Sequence, residues 1–123
     1  MTDEKKLLMN DVKPQNLPYE DFAKLDIRAG TILSGEEVPK SKKLLKLQVD
    51  FGPEIGVRTV MAGIRGSYHA HAISGLRCVA VLNIAPITLM GVESSAMVLA
   101  THNNEGLELL LHPGVVPDGS EVA

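Results

Sequence analysis

Aromatic residues are scarce in this chain: it has no tryptophan and only two phenylalanines and two tyrosines among 123 residues. The 45% apolar content can build a core, but that core has to be aliphatic. Cysteine occurs once, at Cys78, which excludes an internal disulfide and any multi-cysteine zinc site. A lone thiol in an apolar run reads as a small buried hydrophobe. Long hydrophobic runs are missing too. The longest, residues 78–85, is interrupted by Asn83 and is too short to span a bilayer. Residues 1–13 are charged and have none of the apolar stretch of a secretory signal. These absences predict a cytoplasmic chain with no membrane partner, and the length predicts one domain with one core.

Positive charge is absent from the last 46 residues, which carry five acids and no Lys or Arg. All twelve basic residues lie between Lys5 and Arg77, against ten acids, so a total of −3 conceals a first segment of +2 and a second of −5. Anion binding depends on local potential rather than on the total. The distribution therefore admits a phosphate-bearing partner that the net charge alone would discourage.

Residues 1–17, with Pro14 and with Pro18 following, read as a flexible leader, leaving 18–123 as the folded domain. Residues 19–24 suit one helical turn with Phe22 as its apolar anchor. From Leu25 the period becomes two: Leu25, Ile27, Ala29 and Leu33 share one face, opposite Asp26, Arg28 and Gly30. Gly30 and Gly35 would let that strand bend or bulge. A charged loop around Pro39 leads to a second strand with Leu45, Leu47, Val49 and Phe51 on one face. Residues 57–61 form a third strand, with Arg58 placed on its outer side. A short helical turn is expected near residues 70–74. Residues 76–84 make a fourth strand, apolar on nearly both faces and hence central or covered by a partner. Two more strands, 96–100 and 107–111, flank an Asn103-Asn-Glu-Gly106 hairpin turn. The predicted fold class is all-β: the pattern suggests a five-stranded oligonucleotide-binding (OB) barrel with a short helix between strands three and four and a C-terminal β extension, and periodicity alone leaves other small barrels open.

Little in the sequence points to catalysis. Ser94-Ser95 has no Gly-x-Ser-x-Gly setting, and no glycine loop that could cradle a phosphate is present. His69 and His71 sit two apart in a loop, while His102 and His112 are distant, so three or four converging metal ligands are not visible. The chain is expected to be no enzyme and to need no metal or cofactor.

Several segments carry a resemblance. Asp21-Phe22 with Lys24-Leu-Asp-Ile-Arg-Ala-Gly-Thr-Ile32 resembles the opening of the tRNA-binding domain found at the C-terminus of many methionyl-tRNA synthetases, in free-standing tRNA-binding proteins and in the endothelial monocyte-activating polypeptide family. Ser41-Lys-Lys-Leu-Leu-Lys-Leu-Gln-Val-Asp50 is similar to that family's second strand, and Ala62-Gly-Ile-Arg65 to its next landmark. Asn83-Ile-Ala-Pro86 with Met90-Gly-Val-Glu-Ser94 is similar to its most recognisable segment. The resemblance implies a homodimer that binds tRNA by shape and backbone, free or beside an aminoacyl-tRNA synthetase. Asp50-Phe-Gly-Pro-Glu-Ile-Gly-Val57 looks more like the sister branch of CsaA chaperones, which makes a dimer binding unfolded or export-bound polypeptide the alternative. In two places the chain departs from the synthetase-type pattern: Ile87-Thr88 stands where that branch usually has Arg-Lys, and Ser95-Ala96 where it has Glu-Gly.

The candidate RNA-binding residues follow. Lys40, Lys42, Lys43 and Lys46 cluster at the entry to strand two, and Arg28 projects from strand one, near the face on which OB barrels lay nucleic acid. A solvated charged loop is the other reading of those lysines, since Glu36 and Glu37 lie alongside. Arg65 and Tyr68 could present a guanidinium and a ring to an unstacked base, or Tyr68 could pack on the barrel rim. The resemblance places Asn83 and Ser94 at the RNA-facing end, although Asn83 could instead hold a turn. With so few aromatics, shape and backbone contacts are expected to outweigh base stacking.

Overall fold

The computed structural model describes residues 15–123. The leader predicted over residues 1–17 lies outside that range except for 15–17, which are exposed coil. A single helical turn, α1 (Tyr19–Phe22), precedes nine strands: β1 (Ile27–Glu37), β2 (Leu45–Asp50), β3 (Val57–Ala62), β4 (Arg77–Val81), β5 (Ile87–Leu89), β6 (Val92–Ser94), β7 (Met97–Val98), β8 (Ala100–Asn103) and β9 (Gly106–Leu109). One 3-10 turn, Ala70–Ala72, falls between β3 and β4, where a short helix was predicted. Phe22 anchors nothing in the core; α1 has no buried residue.

Five strands form one antiparallel sheet in the order β3-β2-β1-β4-β7. The sheet curls until its β3 edge meets the chain just after β6. There Ser95 N donates to Thr59 O at 3.1 Å, and the Ser94 hydroxyl accepts from Met61 N at 2.9 Å. The result is a nearly closed OB-like barrel. β2 is its most regular stave: Leu45, Leu47, Val49 and Phe51 are all fully buried, as period-two patterning requires. β4 is central, between β1 and β7, with Cys78, Ala80 and Val81 buried within the chain, while Ile84 beyond its end is exposed.

β1 breaks the parity that the sequence suggests. Its pairing with β2 runs Ile32↔Val49 and then Ser34↔Gln48, skipping Leu33. One inserted residue turns the strand over. Before that bulge the even-numbered face already meets the core, with Gly30 against Phe51 and Ile32 fully buried, so Leu33, expected inside, is 45% exposed; Leu25, before the strand, is exposed as well. Gly30 serves a different purpose from bulging. A Cβ there would lie 2.7 Å from the Phe51 ring, so the missing side chain is what lets that ring into the core.

Arg58 also departs from expectation. It pairs with Val49 and shares the parity of Val60 and Ala62, which puts it on the inner side of β3. Its guanidinium donates to the carbonyls of Leu82 (2.9 Å) and Ser95 (3.2 Å), satisfying two acceptors where the barrel ends. The β5–β6 hairpin, which alternation did not reveal, turns at Met90-Gly91 with both residues at positive φ (52° and 80°).

Residues beyond β9 return to the start of the sheet. Gly119 N donates to Ala29 O (2.8 Å), Ala29 N to Ser120 O (2.9 Å) and Val122 N to Ile27 O (2.8 Å). Here two glycines meet backbone to backbone: a Cβ on Gly52 would sit 2.5 Å from Asp118 O, and one on Gly119 2.5 Å from Phe51 O. Cys78 is fully buried in β4, and loss of solvation pushes its thiol up to about 11. Because the thiolate is the reactive form, the folded protein should resist alkylation by iodoacetamide at pH 8, whereas denatured protein should react fully; mass spectrometry after a timed pulse reads both.

Candidate nucleic-acid interface

The loop between β1 and β2, residues 38–44, carries the densest positive charge on the described surface. Val38 is buried and ties the loop to the barrel, while Lys40, Lys42 and Lys43 are exposed. Ser41 Oγ accepts from the backbone N–H groups of Lys43 (3.3 Å) and Leu44 (3.1 Å), closing a tight turn under the lysines. Lys46 lies on the outer side of β2, across from Glu36 on β1. Among the described residues none of these four lysines is ion-paired; the pairs formed are Lys24–Asp21, Arg28–Asp26, Arg28–Glu121 and Arg65–Glu37. Their potential is free for a ligand.

The other predicted ligands are engaged within the fold. The Arg65 guanidinium is held by Ser41 O and the Glu37 carboxylate, and the Arg65 backbone N–H donates to Lys43 O at 3.1 Å. It thus braces the lysine-bearing loop from beneath. Arg28 sits at the opposite end of β1, bound to Asp26, to Glu121 (3.2 Å) and to Gly119 O (3.0 Å). The hydrogen bond to Asp26, with the charges of Asp26 and Glu121, raises its pKa still further. Tyr68 packs against the core and its hydroxyl accepts from Leu109 N at 3.0 Å. Asn83 accepts from Asp26 N (2.8 Å) and donates to Lys24 O, pinning the segment that enters β1. Ser94 is 4% exposed, with its hydroxyl shared between Met61 N and Ala96 O. The structure therefore gathers Lys40, Lys42, Lys43 and Lys46, and gives Arg28, Arg65, Asn83 and Ser94 internal partners.

One feature of this end of the barrel was not foreseen. The β5–β6 hairpin stands beside the lysine loop, leaving a cleft of about 300 Å³ with Pro39 and Lys40 on one wall and Met90 and Val92 on the other. Ile87 and Thr88, in the place of the Arg-Lys pair, lie exposed on β5 of that hairpin. Elsewhere, the His69 and His71 rings stack with centroids 5.5 Å apart. No group of three or more His, Cys, Asp or Glu side chains suited to a metal occurs among the described residues, and no helix there is long and apolar enough to cross a membrane.

Residues 27–121 match the family model described as "Putative tRNA binding domain". The chain belongs to this family. The methionine–tRNA ligase of Flavobacterium johnsoniae is 47% identical over 107 residues, which is 86% of this chain and 15% of the ligase. That of Thermotoga maritima is 38% identical over 122 residues, 98% of this chain and 19% of the ligase. The chain thus spans under a fifth of these relatives' length. Among solved structures, a MetRS-related protein from Pyrococcus horikoshii superposes with a TM-score of 0.82 at 30% identity, covering 89% of this chain and 100% of that one. The chaperone CsaA of Bacillus anthracis does so at 0.79 and 31%, with the same coverage.

For this member of the tRNA-binding domain family, the brace at Arg65 makes a measurable distinction. Arg65→Met should loosen the lysine loop and weaken tRNA binding severalfold, while leaving the slope of log affinity against log salt unchanged. A residue that touched phosphate would flatten that slope by about 0.9 on loss. Gel shifts across a salt series separate the two roles.

Proposed function

We propose that this chain is a binding module, with no catalytic step of its own, that holds tRNA by shape and backbone. The observation that supports this reading best is the group of four lysines without ion pairs among the described residues, three on a loop braced by Arg65 and Lys46 on the adjoining β2, in a domain of the tRNA-binding family. Flexible ammonium groups suit phosphates because they tolerate varied geometry. Tyr68 is engaged inward and the exposed rings, Tyr19 and Phe22, lie with Arg28 and Glu121 rather than at the lysine loop, which favours backbone recognition there. The reading includes a cytoplasmic setting, consistent with the single unoxidised cysteine, and a synthetase partner, as the ligase relatives suggest. It also includes a homodimer. Exposed Ile84, Ile87, Leu110 and Leu111 supply apolar surface that a second copy would cover.

A gel shift with tRNA from 50 to 300 mM salt, beside an unfolded-polypeptide competitor, tests the proposal. Affinity that falls steeply with salt and resists the competitor is the expected result. A second reading has its own support in the CsaA structures and in the uncharged Ile87-Thr88. Retention of unfolded polypeptide with no tRNA bound at low salt would decide for that chaperone-like reading.

A further inference from the structure

The cleft between the lysine loop and the β5–β6 hairpin combines features that phosphate binding does not need. Its walls include apolar groups from Val38, Pro39, Met90 and Val92, and at about 300 Å³ it is at the small end of ligand pockets. Lys40 and Lys46 line it too, as do Glu36 and Glu37. A carboxylate beside phosphate-binding lysines weakens their field, so its presence calls for a ligand group that donates to it. Glu37 is tied to Arg65, whereas Glu36 has no ion pair among the described residues. The backbone marks the same place. Lys40 (φ 67°) and Met90 (φ 52°) are the two non-glycine residues with positive φ among the described residues, and they face each other across this cleft. Met90 takes its φ from the hairpin turn, whereas Lys40 holds an unfavourable conformation of the kind that gathers at ligand clamps.

We infer that this cleft takes one unstacked guanine from the bound RNA, its ring between Pro39 and Met90, its donor edge on Glu36 and its phosphate on Lys40 or Lys46. Guanine is the base with two adjacent donors, N1–H and the N2 amine, and no acceptor between them, which matches a carboxylate in bidentate fashion. Adenine and cytosine each set an acceptor beside their amine, and uracil flanks its single donor with two carbonyls. Splayed bases in single-stranded segments are read in this way, on the Watson–Crick edge. Met90 suits the ring face, since thioethers make favourable contacts with aromatic systems. The inference rests on the RNA-binding reading above and adds a base preference to it.

The test uses a labelled uridine oligonucleotide with one central guanosine, adenosine, cytidine or inosine, followed by fluorescence anisotropy with the full chain. Guanosine should bind about tenfold more tightly than adenosine, the size of discrimination that one bidentate contact gives. Inosine, which has no N2 amine, should fall between them. Glu36→Gln should bring guanosine down to the inosine level, because the amide offers one acceptor and one competing donor. The Glu36 side chain is exposed and makes no hydrogen bond or ion pair among the described residues, so this variant is expected to keep its circular dichroism spectrum. Met90→Ala should weaken all four oligonucleotides alike. Equal affinity for the four bases, or an unchanged guanosine preference in Glu36→Gln, overturns the inference while leaving tRNA binding as measured by gel shift untouched. Conversely, a guanosine preference with no tRNA shift would uphold the cleft and remove the tRNA reading. Displacement of the guanosine oligonucleotide from wild type by a leucine-rich peptide, together with the absence of any base preference, would make the cleft a peptide site and also overturn the inference.

Discussion

Reversing two charges at once, Lys42→Glu with Lys43→Glu, is expected to lower tRNA affinity about a hundredfold at 0.1 M salt. The magnitude follows from counterion release. Each lysine that neutralises a phosphate frees roughly 0.9 of a bound cation, which at 0.1 M salt corresponds to nearly a factor of ten in affinity. Both side chains are exposed and free of ion pairs among the described residues, so reversal removes two such contacts without disturbing an internal bond. The plot of log affinity against log salt should become shallower by about 1.8. A salt-series gel shift reads both quantities, with circular dichroism as the check on folding. Full affinity with an unaltered slope would move the RNA elsewhere on the barrel. The contrast with Arg65→Met is the useful one: the lysines change the slope, while the brace changes the intercept.

Phe51→Ala should lower stability by about 3–5 kcal/mol, the range for removing a fully buried aromatic ring. Phe51 is 1% exposed and its ring fills the space left open by Gly30, against Val49. In a chain with so few aromatics no neighbour is large enough to refill that volume. The melting temperature should fall by roughly 10 °C or more for a domain of this size, as thermal circular dichroism would show. A loss below about 1 kcal/mol would place the ring outside the tightly packed interior. The defect should also reach the chain end, because the Phe51 carbonyl lies against Gly119.

How far the sequence speaks for the structure depends on the element. β2 was legible because its strict alternation has a single physical solution, and Leu45, Leu47, Val49 and Phe51 all took it. β1 was legible as a strand but not in which face meets the core, since Ile27 and Ala29 on one side and Ile32 on the other are all buried, and the bulge at Leu33 leaves no mark in composition. The β5–β6 hairpin escaped notice because Met90-Gly91 is not an Asn-Gly or Asp-Gly turn, and its strands are three residues long. Lysines at the β1–β2 loop could be read directly, as an ammonium on a short charged loop has few places to go but solvent. Arg28, Arg65, Asn83 and Ser94 could not. Each is fixed by a partner far along the chain, where local patterning carries no information: Gly119 lies 91 positions from Arg28, Ser41 24 from Arg65, Lys24 59 from Asn83 and Met61 33 from Ser94. Arg58 shows the same limit, since its inward placement is decided by carbonyls on β4's exit and on the β6–β7 connection.

The return of residues 118–122 to β1 has a kinetic side. Ala29 bonds to Gly119 and Ser120, and Arg28 reaches Gly119 O across 91 positions of sequence. Contacts of such separation form late, since the loop they close must first be ordered by everything within it. Until then the first residues of β1 offer open N–H and C=O groups along one side, the kind of edge that pairs with a neighbouring chain. The barrel's first strand thus waits for the last stretch of this sequence, and refolding at high concentration is the setting in which that wait would divert the chain into aggregates.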